Sequence, residues 1–182
     1  MREQITILGV PIDNITLEES GEITKKLILE SHKTCKMIFA PNTEFVMKAN
    51  KDKEFFDILQ QSDLSTPDSV GIMLGAKMQK KKFKQRIPGQ AYFREVLRVA
   101  EKEGFTVYLL GGMPGIPEKT KENVLKSFPN LKIVGTHDGY IEGEKEREVI
   151  EEINQLQPNI VFVAMGAPKQ EKWIYQHRKE LK

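Results

Sequence analysis

The alternation of short apolar runs with helical repeats narrows the folds open to this chain more than any other feature. Runs at 37–40 and 160–164 are continuous, apolar and strand-length, and 105–110 and 131–134 read as further strands. Between them, apolar residues recur at helical spacing: Ile23, Leu27 and Ile28, then Tyr92, Val96, Leu97 and Val99, then Val149, Ile150 and Ile153. Buried strands separated by amphipathic helices pair in parallel through crossover connections. The expectation is an α/β fold, a Rossmann-like parallel sheet with helices on both faces. At 182 residues, with no repeat, linker or low-complexity tract, the chain is expected to form a single domain over 1–182.

Local signals fill in the order of elements. Ile5, Ile7 and Leu8 form a short strand that Gly9-Val10-Pro11 turns toward Ile12. Thr16 stands three residues before Glu19, which is a capping box opening a helix. Phe45, Val46, Phe55, Phe56, Ile58 and Leu59 populate one helical region over about 44–60. A weak strand at 63–66 ends in Pro67, and Asp68 precedes a helix through Val70, Ile72, Met73 and Leu74. Gly104 ends the helix that starts near Tyr92, and 144–156 reads as a helix with an acidic first half. From Arg178 to Lys182 a helical pattern runs on without a cap, so the natural polypeptide is expected to continue further.

Composition enters as a set of exclusions. Lys plus Arg is 28 against 26 Asp plus Glu, a net charge of +2, so no overall basicity points to nucleic acid. One cysteine, Cys35, excludes an internal disulfide and a Cys-rich zinc site, and fits a reducing compartment. The longest apolar run, 160–165, falls far short of the ~18 residues a spanning helix needs. Met1-Arg2-Glu3-Gln4 has no apolar signal core, so a cytoplasmic location is expected. His32, His137 and His177 are scattered and no ligand-spaced acidic pair is present, so neither a metal nor a cofactor is expected.

Ligands of open parallel sheets sit beyond the carboxyl ends of the strands, near helix N-termini. Four segments hold such positions: Ala40-Pro41-Asn42-Thr43, Thr66-Pro67-Asp68-Ser69, Gly111-Gly112-Met113-Pro114-Gly115, and Gly166-Ala167-Pro168-Lys169-Gln170. The Gly111-Gly112 loop is either a phosphate cradle or a tight strand-to-helix turn. Asp68 is either a helix N-cap, the commoner fate at such a position, or a general base within reach of a bound hydroxyl. His137-Asp138-Gly139-Tyr140 reads most simply as a turn after a strand. Lys77, Lys80, Lys81, Lys82, Lys84 and Arg86, with Phe83 among them, form either a solvated helix end or a patch for a diphosphate or anionic lipid headgroups.

At these same residues the chain resembles the WecG/TagA/CpsF glycosyltransferase family, closest to its TagA branch. The runs that carry the resemblance are Val107 through Gly115, Gly135-Thr136-His137-Asp138-Gly139-Tyr140, and Gly166-Ala167-Pro168-Lys169-Gln170-Glu171-Lys172-Trp173, together with Pro41-Asn42 and Thr66 through Gly71. The resemblance covers essentially the whole chain. It implies an inverting transfer of N-acetylmannosamine from a UDP-sugar donor to undecaprenyl-diphosphate-linked N-acetylglucosamine, at the cytoplasmic membrane face.

The family's catalytic aspartate falls on Asp68, against the N-cap reading, and its substrate-binding residues fall on Asn42, Arg86 and Gln170. Gly111, Gly112, Asp138 and Lys169 are expected at the nucleotide, with cations and helix N-termini rather than a metal stabilising the departing UDP. Ala40 departs from a threonine common in the family. The family's chains also continue past Lys182 into a basic, amphipathic membrane-associating tail. Docking on a membrane would suit a homo-oligomer. The reading from a different class is a module that binds nucleotide or anionic lipid without catalysis.

Overall fold

The computed structural model describes residues 2–30 and 35–181, so Met1, His32 and Lys182 lie outside the described residues. One compact unit takes in residues 2–30 and 36–96, and another takes in Cys35 and residues 97–181. Both contain helices and parallel strands, and the class is α/β.

The first unit opens with a hairpin. Strands β1 (Gln4–Ile7) and β2 (Val10–Asp13) pair antiparallel, with Ile5 opposite Ile12 and Ile7 opposite Val10. Leu8 and Gly9 both have positive φ, +47° and +87°, the two-residue mirror-image turn that suits the twist of paired strands. The turn closes at Leu8-Gly9, so Val10 and Pro11 belong to the second strand rather than to the turn. Ile5, Ile7, Val10 and Ile12 are buried.

Helix α1 (Leu17–Glu30) starts at the expected capping box. Thr16 Oγ1 accepts from the Glu19 N–H at 3.2 Å, and Glu19 Oε2 accepts from the Thr16 N–H at 2.7 Å. Such reciprocal caps contribute about 1 kcal/mol. The residues α1 buries fully are small, Ser20, Gly21 and Thr24. Ile23 and Leu27 are only partly buried, against Ile15, Leu64 and Ile87.

Strands β3 (Ile38–Phe39) and β4 (Leu64–Ser65) form a parallel pair. The stretch between them is not one helix but two, α2 (Thr43–Ala49) and α3 (Lys53–Leu59). Asp52 breaks the expected single helix: its side chain accepts from the Phe55 N–H at 3.0 Å and caps a new one. Apolar periodicity runs through such a break unmarked. Helix α4 (Val70–Met78) follows β4, and α5 (Gly89–Glu103) follows the basic segment and stops before Gly104 at φ +75°.

A buried carboxylate ties the hairpin to the parallel pair. Asp13 is 0% exposed. Its Oδ1 accepts from Arg2 Nε at 3.0 Å and Gln4 Nε2 at 3.1 Å, and its Oδ2 accepts from the Ser65 N–H at 2.8 Å.

In the second unit, β5 (Thr106–Gly111), β6 (Lys132–His137) and β7 (Ile160–Ala164) make an all-parallel sheet in the order β6-β5-β7. The connections are α6 (Ile116–Ser127) and α7 (Glu144–Leu156), and α8 (Lys169–His177) packs on β7. The core gathers Tyr108, Leu110, Val149, Ile150, Ile153 and Trp173. The helical pattern expected over 178–182 does not persist through 178–181, and Lys182 lies outside the described residues. Helix α8 ends at His177, and the N–H groups of Glu180 and Leu181 both return to the His177 carbonyl at 2.9 Å. Leu181 thereby joins the core. No described helix is long and apolar enough to cross a membrane.

Candidate active site

In the first unit, the carboxyl ends of β3 and β4 lead directly into Asn42 and Asp68. Parallel pairing sends both ends the same way, and backbone bonds hold them together. The Thr66 N–H donates to the Phe39 carbonyl at 3.0 Å, and the Asp68 N–H to the Pro41 carbonyl at 3.4 Å. The Ile87 N–H donates to the Pro67 carbonyl at 2.7 Å, which brings the segment carrying Arg86 to the same edge.

Asp68 does not cap the helix that follows it. Ser69 does, accepting from the Ile72 N–H at 3.4 Å. The N-cap reading of Asp68 is therefore overturned. Its Oδ1 instead accepts from the backbone N–H of Gly89, the first residue of α5, at 3.2 Å. Its Oδ2 has no hydrogen-bond partner among the described residues. Burial pushes the Asp68 carboxyl above the ordinary aspartate range, and this outweighs the Gly89 hydrogen bond and the nearby Arg86 charge, which both pull it down. Space around it is kept by small residues, since a Cβ on Gly89 would lie 3.7 Å from Asp68 Oδ2 and 4.0 Å from the Ala40 Cβ.

Asn42 caps α2, its Oδ1 accepting from the Phe45 N–H at 3.0 Å, while its Nδ2 has no partner among the described residues. Arg86 is exposed and makes no ion pair among the described residues. Phe83 is buried within the basic run, so it serves as a core anchor rather than as a stacking surface for a ligand.

In the second unit, the loops that follow β5, β6 and β7 meet at the carboxyl edge of the sheet. The Gly112 N–H donates to the Ala164 carbonyl at 2.9 Å, and the Gly139 N–H to the Gly112 carbonyl at 2.9 Å. Gly111 and Gly112 have φ of +133° and +76°. Asp138 Oδ1 accepts from the Tyr140 N–H at 2.8 Å, which makes the expected turn and commits that oxygen to it. Helices α6 and α8 both begin without a side-chain cap, at Gly115 and Pro168.

Lys169 is exposed and its Nζ lies 3.9 Å from Glu142 Oε1, also exposed, a contact that contributes well under about 1 kcal/mol and leaves the cation available. Gln170 is held at both ends of its amide. Its Oε1 accepts from the Gly166 N–H at 3.1 Å, and its Nε2 donates to Glu171 Oε1 at 2.6 Å. Glu171 is 1% exposed, a buried carboxylate whose hydrogen bond to Gln170 fixes which face of that amide is oxygen and which is nitrogen. Sequence inspection passed over Glu171 and Gly89. Neither belongs to a spacing that signals chemistry; each matters through its neighbour. Among the described residues, no group of three or more His, Cys, Asp or Glu is placed to hold a metal ion.

The sequence profile of the glycosyl transferase WecG/TagA/CpsF family matches residues 5–182. Among curated proteins, the N-acetylglucosaminyldiphosphoundecaprenol N-acetyl-beta-D-mannosaminyltransferase of Bacillus subtilis (strain 168) is 31% identical over 173 residues, 95% of this chain and 66% of that protein. The protein of the same name from Staphylococcus aureus (strain NCTC 8325 / PS 47) is 29% identical over 177 residues, 97% of this chain and 69% of its own. The chain thus spans about two thirds of the length of these relatives.

Proposed function

The chain belongs to the WecG/TagA/CpsF family of glycosyl transferases, and from that membership we propose an inverting transfer of N-acetylmannosamine from UDP-N-acetylmannosamine to undecaprenyl-diphosphate-linked N-acetylglucosamine. The names of the relatives supply the sugar and the acceptor. The UDP carrier, the inversion and the residue roles are our reading. So is the assignment of residues 1–182 to one catalytic domain acting at the cytoplasmic membrane face.

The observation that carries the proposal is the state of Asp68. A base for an acceptor hydroxyl needs a carboxylate with a free oxygen and a proton affinity above that of a solvated aspartate. Asp68 has both: Oδ1 is held by the Gly89 N–H and Oδ2 is unpartnered among the described residues, while burial raises its pKa.

In the single displacement, the acceptor hydroxyl oxygen forms the new bond to the anomeric carbon as the bond to UDP breaks. Asp68 Oδ2 takes the hydroxyl proton, and the electron pair leaves on the UDP phosphate. Arg86, Lys169 and helix N-termini are assigned to that developing charge, the term that most lowers such barriers. Asn42 and Gln170 are assigned to hold the sugars.

The test is transfer from UDP-N-acetylmannosamine to a short-chain lipid-diphosphate-N-acetylglucosamine, with EDTA present. A β-linked disaccharide product supports the reaction as written. UDP binding with no product, in a chain extended to the relatives' full length, would favour a binding module instead.

A further inference from the structure

We propose that the exposed face of α4 and the lysine segment after it form a docking surface for an anionic lipid membrane. The inference deepens the lipid-linked-acceptor reading and rests on it for its purpose, although its geometry stands on separate residues.

Helix α4 has an inverted arrangement of apolar side chains. Ile72 and Ala76 are buried, as expected of an inward face. Val70, Leu74 and Met78, spaced by four, make a second apolar stripe on the opposite side, and they are 55%, 54% and 87% exposed. Single exposed apolar residues are ordinary, but three in one row are not. Beside the stripe, α4 packs closely against neighbouring elements. A Cβ on Gly71 would run into Thr43 of α2, and one on Gly75 would lie 3.3 Å from Ile7 of β1. Exposed Leu8, at the hairpin tip, lies two residues from Thr6, whose carbonyl accepts from Gln79 Nε2 at 2.9 Å just past the end of α4.

The charge beside the stripe is one-sided. Lys77 lies on the exposed side of α4, and Lys80, Lys81 and Lys82 follow it directly. All four are exposed, and none makes an ion pair among the described residues, whereas Lys84 is held by Glu19 at 2.8 Å. The segment is also fixed in place. Phe83 is 1% exposed and anchors it, the Lys82 carbonyl accepts from Asn14 Nδ2 at 3.4 Å, and the Lys84 N–H donates to Asn14 Oδ1 at 2.7 Å.

A rigid apolar stripe ending in four unpaired cations matches a surface with anionic headgroups over an apolar interior. A second copy of the chain matches it less well, because a two-fold contact pairs this surface with itself and gathers both lysine clusters into one interface.

The test is co-sedimentation of this chain with phosphatidylcholine vesicles, with and without phosphatidylglycerol. Binding is expected only with phosphatidylglycerol. Replacing Lys77, Lys80, Lys81 and Lys82 together by Gln should weaken it at least tenfold, given roughly fivefold per cation at such a surface. Leu74→Ser with Met78→Ser should also weaken it, with circular dichroism unchanged in both variants.

Equal binding to both vesicle types, no binding by the unaltered chain, or full binding by the lysine variant would each overturn the proposal. So would a dimer in sedimentation velocity that the Leu74/Met78 variant disperses, without vesicle binding. Turnover of a water-soluble acceptor separates this from the catalytic reading: vesicle binding without turnover leaves the surface standing and removes the reaction, and the reverse removes the surface alone.

Discussion

Asp68 Oδ1 accepts the backbone N–H of Gly89 at 3.2 Å, so the residue that ends the β4 segment caps the start of α5 across a gap of 21 positions. The bond orients the carboxylate and leaves its second oxygen for chemistry. An amide can make the same bond, which separates the structural role of Asp68 from the proposed proton transfer. Asp68→Asn should therefore lower kcat by about 100-fold or more, the usual worth of a positioned base, while thermal unfolding stays at the unaltered temperature or slightly above it. The sign follows from the raised carboxyl: the folded state binds the proton more tightly than the unfolded one. Stability from this group is present at low pH and is lost as pH rises through its folded value, so near neutrality the charge is a small liability that Asn removes. Turnover near the original level would remove Asp68 from the base role.

The same shift predicts a pH profile. Activity should fall on the acid side at a pH above the ordinary aspartate value, because the base must be deprotonated to act. Arg86 pulls that value down, so Arg86→Gln should move the acid limb of kcat/KM to higher pH. A limb that stays still or moves lower would show that Arg86 does not act on Asp68 in this way.

Gln170 depends on Glu171 for the orientation of its amide. Glu171→Leu removes the acceptor of the Gln170 Nε2 hydrogen bond at similar side-chain size. The lost charge-assisted hydrogen bond should cost about 1.5–3 kcal/mol of stability, read by denaturant unfolding. If Gln170 holds a sugar, KM for one substrate should rise about tenfold while kcat changes less. A change in stability alone would mark Glu171 as part of the core and nothing more.

Two glycines with positive φ should respond differently to alanine. At Gly111, φ +133°, a Cβ would overlap the backbone of Ala164, so Gly111→Ala should cost more than about 2 kcal/mol and shift the neighbouring strand end. At Gly115, φ +82° in the left-handed region, nothing lies within 4 Å, and Gly115→Ala should cost only the ~1 kcal/mol of a left-handed residue. Equal losses in chemical denaturation would mean that the β5–β7 approach is looser than drawn.

The parallel strands were legible because burial on both faces leaves short apolar runs, and most helices because burial of one face imposes a 3.6 period. Helix α7 falls over 144–156 as read, since its acidic first turn and its Val149, Ile150 and Ile153 face are local signals. The first hairpin was misread because a bulky Leu8 takes the left-handed role that sequence rules reserve for Gly or Asn. The break at Asp52 is hidden by Phe residues in phase on either side, and the cap on α4 falls to Ser69, one residue after the Asp68 that also fits a cap by type. At the candidate site, the polar residues were found by family likeness. Their orienting partners, Gly89 and Glu171, stayed invisible because a backbone N–H 21 positions away and a carboxylate facing inward leave no spacing to recognise.

Asp13 has no assigned role in the reaction, yet it makes the beginning of the polypeptide a mechanical component of the site's foundations. Remove Arg2 and Gln4, and Oδ1 of a sealed carboxylate loses both its donors, while Oδ2 still grips Ser65, three positions from Asp68. Substitution of Arg2 or Gln4 is thus a change to the seat of the proposed base, and engineering of this protein belongs elsewhere.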